Sequence, residues 1–400
     1  MSNQDHNLST VVNTSMGNYP VIVGRGVIDN LGIELRKTGQ RGRAFLIADE
    51  VMFANPVRRA HEALERGGFK TDVLALELGE FNKNLDTVNT VYKWLAELHA
   101  ERNDIVVAMG GGVTGDLVGY AAATWLRGVA VVHVPTSLAA MVDSSIGGKT
   151  GVNMPNGKNL LGAFHQPKLI VQDIEHLKTL PAREMSAGWA EAIKHGLILD
   201  SNLLDKFESM AQQMKTLDGD EPIKAIRRSV AIKGQIVSSD EFETGDQRVL
   251  LNYGHTVGHA IETVTGYETF LHGEAVAIGM MAAAGIAQRI GLINSELVDR
   301  QKSILESYNL PTTATNLNAD AIISATKSDK KSRGGTIRWV LLEGPGKATT
   351  RKDIPMTWYW TLCSRFSAKK HLMELQYKRS FHKFLTEIYN QKQPTDSSSH

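Results

Sequence analysis

The sequence contains only one cysteine, Cys363, among its 400 residues. A single cysteine excludes an intrachain disulfide framework and a metal site built from several thiolates. Scarce cysteine suits a reducing compartment, and we expect a cytoplasmic protein. Residues 1–7 are polar and lack the apolar segment of a signal peptide, which agrees with that expectation.

The chain also lacks an excess of charge of one sign. Its 44 Lys and Arg residues against 43 Asp and Glu give a net charge of +1, and no basic tract dominates. We therefore expect neither nucleic acid nor an anionic membrane as a partner. The longest apolar run, residues 275–290, is interrupted by Gln288 and Arg289 and is too short for a membrane span.

The first half of the chain alternates between strand-like and helix-like segments. Apolar runs predict strands at 19–23, 43–48, 72–76, 104–109 and 129–134. Helical spacing predicts helices at 56–67, 85–101 and 116–125. This alternation is typical of a parallel sheet covered by helices.

From about residue 181 helical periodicity dominates. The predicted helices are 184–199, 203–214, 222–238, 255–265, 275–290 and 295–308. We predict an α/β N-terminal nucleotide-binding domain with a parallel sheet (1–178), a mostly α-helical C-terminal metal-binding domain (179–356) and an atypical tail (357–400). The cleft between two such domains is the expected ligand site.

Three histidines lie close together in the second half, in Asn-Tyr-Gly-His-Thr-Val-Gly-His at 252–259 and Leu-His-Gly-Glu at 271–274. His255 and His259 are four residues apart and would share one face of a helix, and His272 follows near the start of the apolar run. A lone histidine is more often structural. Three together, with Glu191 on another predicted helix, favour a divalent metal such as zinc with an open coordination position.

A glycine triplet, Gly110 to Gly112, lies between a predicted strand and a predicted helix. Glycine lets the backbone approach a ligand, and the amides at a helix start suit a pyrophosphate. The pattern is not G-x-G-x-x-G, and a glycine triplet is often a plain turn. The strand-turn-helix setting nevertheless favours a nucleotide.

Glycine, lysine and asparagine are concentrated at 143–159. The sequence Gly-Gly-Lys-Thr at 147–150 is similar to the end of an ATP-binding P-loop. The G-x-x-x-x-G-K-[ST] frame is incomplete because its first glycine is missing, which disfavours an ATPase.

Taken together and in this order, these motifs resemble the 3-dehydroquinate synthase family of sugar-phosphate cyclases. The resemblance covers about residues 11–355. Its motifs are Gly-Gly-Gly-Val-Thr-Gly-Asp-Leu at 110–117, Arg-Gly at 127–128, Val-Asp-Ser-Ser-Ile-Gly-Gly-Lys-Thr at 142–150, Gly-Lys-Asn at 157–159, Glu-Ala-Ile-Lys at 191–194, and the two histidine motifs.

The resemblance implies a nucleotide-binding α/β domain and a helical domain with the active site between them. The implied reaction converts 3-deoxy-D-arabino-heptulosonate 7-phosphate (DAHP) into 3-dehydroquinate and phosphate, in the shikimate pathway. NAD would oxidise the substrate transiently, phosphate would be eliminated, the carbonyl would be reduced back, and an intramolecular aldol would close the ring. A divalent metal, Zn or Co, would polarise the reacting oxygen.

The resemblance also assigns site residues. The metal ligands would be Glu191, His255 and His272, with His259 contacting the substrate nearby although spacing alone would make it a ligand. The other substrate contacts would be Arg127, Lys149, Asn159, Lys194, Lys233, Arg248, Asn252 and Lys330, with Lys331 as an alternative to Lys330. The phosphate and carboxylate of the substrate require such cations.

The NAD site implied by the resemblance is drawn from many segments. Its residues would be Asp49, Glu80, Lys83, Gly111, Gly112, Val113, Asp116, Thr136, Ser137, Asp143, Lys149, Lys158, Thr179, Leu180 and Glu184. Asp49 follows a strand and is placed to accept hydrogen bonds from ribose hydroxyls, which favours NAD over NADP.

The sequence departs from the family pattern in two places. The segment from Glu243 to Arg248 is one residue longer than the family spacing, and residues 357–400 do not match the family's final helix. The tail is either a genuine extension or a frame-shifted end. We expect it to contribute no catalytic group, with a helix at 369–389 and a disordered end from residue 391.

Three alternatives remain open. A related cyclase could act on a sugar phosphate without a carboxylate, but Lys233 and Arg248 provide more cations than it would require. A metal-dependent polyol dehydrogenase would not need so many anion contacts. A sensor without catalysis is disfavoured because each ligand position is filled. We expect a small anionic substrate and a homodimer.

Overall fold

The computed structural model describes residues 7–52, 55–314, 317–331 and 337–355, with only the backbone described at 327–331. The predictions for the tail, 357–400, lie outside the described residues. The side chains of Lys330 and Lys331 lie outside them as well.

The described chain contains a seven-stranded sheet and two hairpins. The strands are β1 (Leu8–Thr14), β2 (Gly17–Gly24), β3 (Ala44–Asp49), β4 (Thr71–Leu76), β5 (Ile105–Gly110), β6 (Ala130–Pro135), β7 (Lys149–Met154), β8 (Gly157–Phe164), β9 (Leu169–Asp173), β10 (Trp339–Gly344) and β11 (Lys347–Arg351). The order in the main sheet is β1-β2-β9-β6-β5-β3-β4, and only the β1–β2 pair is antiparallel. The pairs β7–β8 and β10–β11 form the antiparallel hairpins.

Among the described residues, four helices belong to the sheet-containing half and eight to the second half. They are α1 (Leu31–Lys37), α2 (Asn55–Arg66), α3 (Leu85–Glu97), α4 (Gly112–Thr124), α5 (Ala182–Leu199), α6 (Ser201–Ser209), α7 (Ala211–Thr216), α8 (Glu221–Ser239), α9 (His255–Val264), α10 (His272–Arg289), α11 (Ser295–Ser307) and α12 (Ala319–Lys331).

Both faces of the parallel sheet are covered. On one face β3 and β5 pack against α1 and α2, and on the other against α3 and α4. All six residues of β5 are buried, as are five of the six in β3. Central parallel strands covered on both sides are therefore continuous apolar runs rather than alternating ones, which is why the sequence revealed them. The carboxyl ends of these strands form one edge, where ligands of such sheets bind.

The helical half has its own large core, centred on α5, α8, α9 and α10. The rings of Trp189, Phe207 and Tyr308 pack against one another there, with centroids 5.8–6.1 Å apart. Val12 and Tyr19 from the first two strands belong to the same core. The N-terminal hairpin therefore joins the sheet to the helical half.

The predicted fold class is confirmed, with several corrections to the elements. The helix predicted at 116–125 begins at Gly112, and the helix predicted at 203–214 is divided into α6 and α7 at Met210, whose φ of −122° and ψ of 23° leave the helical region. The helices α1 and α12, the strands β1 and β9, and the hairpins β7–β8 and β10–β11 were not predicted. No helix within the described ranges is long and apolar enough to cross a membrane.

Candidate active site

Three helices place a carboxylate and two imidazoles together. Glu191 lies in the middle of α5, while His255 and His272 are the first residues of α9 and α10. The Nε2 atoms of His255 and His272 each lie 3.6 Å from Oε1 of Glu191. One ligand atom from each residue falls within 4.8 Å of the others, which is close enough for one metal ion.

The other nitrogen of each imidazole is already oriented. Nδ1 of His255 lies 3.2 Å from the carbonyl oxygen of Tyr253, and Nδ1 of His272 lies 3.3 Å from a carboxylate oxygen of Glu262. A proton on each Nδ1 leaves the Nε2 lone pair facing Glu191, the tautomer that a metal requires. Oε1 of Glu191 is buried and has no hydrogen-bond partner within the described structure. A buried carboxylate oxygen without a donor, facing two imidazole nitrogens, fits a cation.

The pKa shifts of Glu191, His255 and His272 also favour a bound cation. Burial, together with Lys194, holds the pKa of His255 well below its usual value, so this imidazole stays neutral. Burial opposes ionisation of Glu191, but Lys194 and His255 outweigh it and hold the pKa of Glu191 well below normal. Burial likewise opposes a charge on His272, but the neighbouring carboxylates of Glu191 and Glu262 raise its pKa to about 10. The cluster thus attracts positive charge, which a proton or a metal ion can supply.

His259 lies beside this cluster, with its ring centroid 5.3 Å from that of His255 and 5.9 Å from that of His272. Together with Glu262 and His272 it forms a second group that could hold a metal. The two groups share His272, and a neutral imidazole has only one lone pair to donate. Because Nε2 of His272 faces Glu191, we assign Glu262 as the acceptor of its Nδ1 proton rather than as a ligand. The sequence analysis missed Glu262, although it follows His255 by seven residues and so lies on the same helical face.

Two ion pairs made by buried lysines adjoin the cluster. Lys194 contacts Oε2 of Glu191, and both side chains are 1% exposed. Lys233 on α8 contacts the Asp143 carboxylate and donates to its carbonyl oxygen at 2.7 Å. Burial opposes ionisation of Asp143, but Lys233 holds its pKa below the usual value. These pairs place two of the predicted substrate cations beside the predicted metal ligands.

The predicted NAD residues lie at or beyond the carboxyl ends of the parallel strands. Asp49 ends β3, the glycine triplet ends β5, and Thr136 follows β6, where its N–H donates to the carbonyl of Gly110 at 2.9 Å. A Cβ added to Gly112 would lie 3.0 Å from the Ser144 hydroxyl. Glycine thus keeps open the space at the start of α4, where a phosphate group would meet free backbone N–H groups. Thr179, Leu180 and Glu184 lie on the segment that joins β9 to α5 or in its first turn.

The β7–β8 hairpin carries several of the predicted lysines and asparagines. Lys158 pairs with Glu80 at 3.2 Å, and its ammonium lies 4.0 Å from the ring centroid of Tyr267, beyond the end of α9. Asn159 accepts a hydrogen bond from Lys83 at 2.7 Å, and Lys83 also pairs with Asp116 on α4. The hairpin therefore connects the nucleotide edge of the sheet with the histidine helices.

The remaining predicted substrate residues are more dispersed. Lys149 is 52% exposed and pairs with Glu243. Arg248 is buried and donates to the carbonyl oxygens of Glu241 and, at 3.4 Å, of Gly147. Its guanidinium is thus held by backbone acceptors next to the Gly-Gly-Lys segment.

Two further members of that set lie on short turns. Asn252 ends the 3-10 turn that begins at Arg248 and leads into α9. Arg127 is exposed on the loop after α4, with a left-handed φ of 68°. The contacts above do not bring Arg127 to the histidine cluster.

Two solved cyclases have this fold. One is 2-epi-5-epi-valiolone synthase from Streptomyces hygroscopicus subsp. jinggangensis 5008, with NAD+ and Zn2+ bound: its TM-score is 0.79 at 27% identity, over 87% of this chain and 97% of that chain. The other is 2-deoxy-scyllo-inosose synthase complexed with carbaglucose-6-phosphate, NAD+ and Co2+: its TM-score is 0.79 at 26% identity, over 89% of this chain and 99% of that chain. The fold and the site thus define a protein of the cyclase class.

Family models narrow this class. The model for the N-terminal part of 3-dehydroquinate synthase matches residues 73–187, and the model for its C-terminal part matches residues 188–332. The 3-dehydroquinate synthase of Synechococcus sp. (strain CC9605) is 44% identical over 340 residues, which are 84% of this chain and 91% of the relative. The chain belongs to the 3-dehydroquinate synthase family, so the predicted family and enzyme class are confirmed.

Proposed function

We propose that this chain converts DAHP into 3-dehydroquinate and inorganic phosphate. Family membership supports the reaction. One observation assigns the reaction to this site. The buried Oε1 of Glu191 has no donor within the described structure and faces two imidazole nitrogens. The buried Lys194 and Lys233 lie beside it. An alcohol oxygen bound at such a centre would lie next to cations that can hold an acidic substrate.

We propose Glu191, His255 and His272 as the metal ligands, and the carboxyl edge of the sheet as the NAD site. Residues 1–178 would then bind NAD and 179–356 would hold the metal. When bound, NAD+ would take a hydride from the substrate alcohol and later return it, while the metal would polarise the reacting oxygen. The open backbone at Gly112 and the carboxylate of Asp49 at the end of β3 support the cofactor assignment.

The substrate carries a phosphate and a carboxylate, and we propose cationic side chains as their partners. Lys194 and Lys233 are buried, so their charges act in a medium that screens them little. Lys149 is half exposed at the start of β7, where a substrate anion can reach its ammonium. His259, beside the ligand histidines, is proposed to contact the substrate rather than the metal.

Phosphate release tests the proposed reaction. Purified protein, stripped of metal and reloaded with zinc or cobalt, is mixed with NAD+ and DAHP, and phosphate and NADH are measured together. We expect phosphate to be released in many turnovers while NADH does not accumulate, because the hydride is returned within each cycle. NADH formed in step with product would indicate a polyol dehydrogenase. Phosphate release from a sugar phosphate but not from DAHP would indicate a related cyclase.

We also propose a cytoplasmic homodimer. Leu160, Phe164 and Phe242 are 61%, 44% and 51% exposed, and the two phenylalanine rings pack edge to face with centroids 5.4 Å apart. Apolar side chains exposed in a group favour burial against another subunit. The mass in solution, measured by light scattering, tests this proposal, and a monomer at micromolar concentration would contradict it.

A further inference from the structure

We propose that the Arg183–Glu274 ion pair is a positioning device that sets the distance between Glu191 and His272. The inference rests on the proposed metal site. Arg183 lies in the first turn of α5, the helix that carries Glu191, and Glu274 is the third residue of α10, the helix that begins at His272. Neither residue belongs to the candidate ligand groups.

The ion pair is bidentate. Nε and Nη2 of Arg183 donate to the two carboxylate oxygens of Glu274 at 2.7 and 2.6 Å, and Nη2 also donates to the carbonyl of Thr269 at 2.8 Å. Two parallel bonds between a planar guanidinium and a carboxylate fix orientation as well as distance. The third bond attaches the same guanidinium to the loop that precedes α10.

Glu274 also fixes the first turn of α10. Its carboxylate accepts a hydrogen bond at 2.9 Å from the N–H of Leu271, the residue immediately before His272. A glutamate at the third helical position that binds the N-cap amide is an established way to hold a helix start. The carboxylate is largely buried, at 9% exposure for the residue, so it acts in a medium of reduced screening.

The two helices touch directly between the ion pair and the ligands. A Cβ on Gly273 would lie 1.9 Å from the carbonyl oxygen of Ala187, so only glycine permits this approach. Arg183, Ala187 and Glu191 are spaced by four and share one face of α5. Along that face Arg183 lies opposite Glu274. The next two positions, Ala187 and Glu191, lie opposite Gly273 and His272 respectively. The ion pair, the backbone contact and the ligand pair thus form three successive points of one helix–helix contact.

This arrangement predicts separate effects on stability and on metal binding. The Arg183 side chain is 55% exposed, and an ion pair that exposed contributes little to folding. Metal affinity depends more sharply on geometry, since partners outside the ligand shell typically change it 10–100-fold when removed. We therefore expect loss of the ion pair to weaken metal binding much more than it destabilises the apo protein.

A matched control exists in the same half of the chain. Arg300 on α11 donates to Glu208 at 3.0 and 2.7 Å and to Asp205 at 2.6 Å, both on α6, so it also joins two helices through a multidentate ion pair. Neither of these helices carries a proposed ligand. Arg300→Met therefore removes the same chemistry without touching the proposed device.

The inference is tested by measuring the zinc affinity of the apo protein by competition with a chromophoric chelator. The melting temperature without metal is measured for the same variants, to separate metal binding from stability. Arg183→Met and Glu274→Ala should weaken zinc binding about 10–100-fold, while Arg300→Met leaves it unchanged. Glu274→Gln should weaken it less than Glu274→Ala, because the amide oxygen can still accept from Leu271. Arg183→Lys should restore part of the affinity.

The outcomes separate this inference from the proposed metal site. If the wild-type protein does not bind zinc, the metal site is wrong and the positioning role falls with it. If the wild type binds zinc and Arg183→Met binds it equally well, only the positioning role is wrong. Because the Arg183 side chain is half exposed, this variant is expected to fold even if Glu274→Ala does not. An equal loss of zinc affinity in Arg300→Met would also contradict the proposal.

Discussion

The histidine cluster and the lysines around it differ in how completely their charged groups are paired. In the cluster, Glu191 keeps one buried oxygen without a donor within the described structure. Its other oxygen contacts Lys194, one of the lysines proposed to bind anions. Four more of those lysines are paired with acidic residues outside the cluster. The pairs are Lys83–Asp116, Lys149–Glu243, Lys158–Glu80 and Lys233–Asp143. Within the described structure, one region therefore keeps a buried carboxylate oxygen open to a cation, while in the other each of these lysines is already paired.

This difference indicates how each region would respond to its ligand. A metal ion would meet the Glu191 oxygen that has no donor within the described structure, so the ligands can be fixed in advance at little cost. An anionic substrate or cofactor must instead compete with carboxylates for the lysines, so its binding includes the rearrangement of ion pairs. Metal-site changes should consequently have larger effects than changes at a single lysine.

The largest effect is expected at His272. Replacement by alanine removes one of three proposed ligands, and loss of metal would remove several kcal/mol of transition-state stabilisation, roughly a thousandfold in rate or more. Zinc content by elemental analysis and phosphate release are measured together. The control is His61→Ala, because His61 lies on α2 and belongs to neither candidate ligand group. Full activity of His272→Ala in a zinc-free preparation would contradict the proposed metal site.

The next largest effect should separate Lys194 from Lys149, which the sequence alone treats as equivalent substrate cations. Lys194 is 1% exposed against Glu191, and removing one partner of a buried pair costs about 3–5 kcal/mol. Lys194→Met should therefore lower the stability of the apo protein by that amount, and zinc should restore part of it by compensating Glu191.

Lys149 provides the contrast, because its ion pair with Glu243 is 52% exposed on the lysine side. Lys149→Met should leave the melting temperature nearly unchanged and lower activity at least about tenfold, the effect of one charge-assisted hydrogen bond. Thermal unfolding with and without zinc, followed by steady-state kinetics, measures both variants. Equal destabilisation of the two would contradict the distinction drawn from burial.

His133, in the core of the sheet, provides a comparison for the histidines of the cluster. Burial, with His165 nearby, lowers its pKa to about 4. An unfolded histidine binds a proton below about pH 6.5, so between these values the unfolded state binds more protons. The free energy of unfolding should therefore fall by about 1.4 kcal/mol for each pH unit as the pH is lowered through this window.

Replacing His133 with glutamine should remove this contribution. Denaturant unfolding between pH 7 and pH 4 is compared for His133→Gln, His61→Gln and the wild type. We expect a shallower pH dependence for His133→Gln alone. Identical slopes in all three proteins would show that His133 does not remain neutral in the folded state.

Sequence patterns predicted the central strands because β3 and β5 are buried on both faces and therefore read as unbroken apolar runs. The hairpin β7–β8 could not be predicted in this way. Its residues 149–164 are rich in glycine and polar side chains, and β8 alternates between exposed and partly exposed positions rather than lying in a core. The hairpin is held by contacts distant in sequence, such as Lys83 with Asn159.

In the candidate site too, some residues were predictable from the sequence and others were not. Spacing within one helix was enough to bring His255 and His259 together, and the residue pattern added His272 and Glu191 to the predicted metal site. The resemblance then selected Glu191, His255 and His272 as ligands and left His259 to the substrate. The partners that orient these groups are contributed across helices. Arg183 meets Glu274 from 91 residues away, and the Tyr253 hydroxyl donates to Gln301 on α11 at 2.8 Å. No local pattern encodes such pairs, because their distance depends on how the helices pack.

The smallest effect is expected from Glu243, which competes with the substrate for Lys149. Glu243→Gln removes the competing charge but keeps the shape, and exposed ion pairs are worth about 0.2–1 kcal/mol. The KM for DAHP should therefore fall, by up to about fivefold. Glu80 pairs with Lys158 of the same hairpin and is itself one of the predicted NAD residues. Glu80→Gln should therefore raise the KM for NAD+ instead. Steady-state kinetics with each substrate varied in turn distinguish the two, and a raised KM for DAHP in Glu243→Gln would show that Glu243 positions Lys149 rather than opposing the substrate.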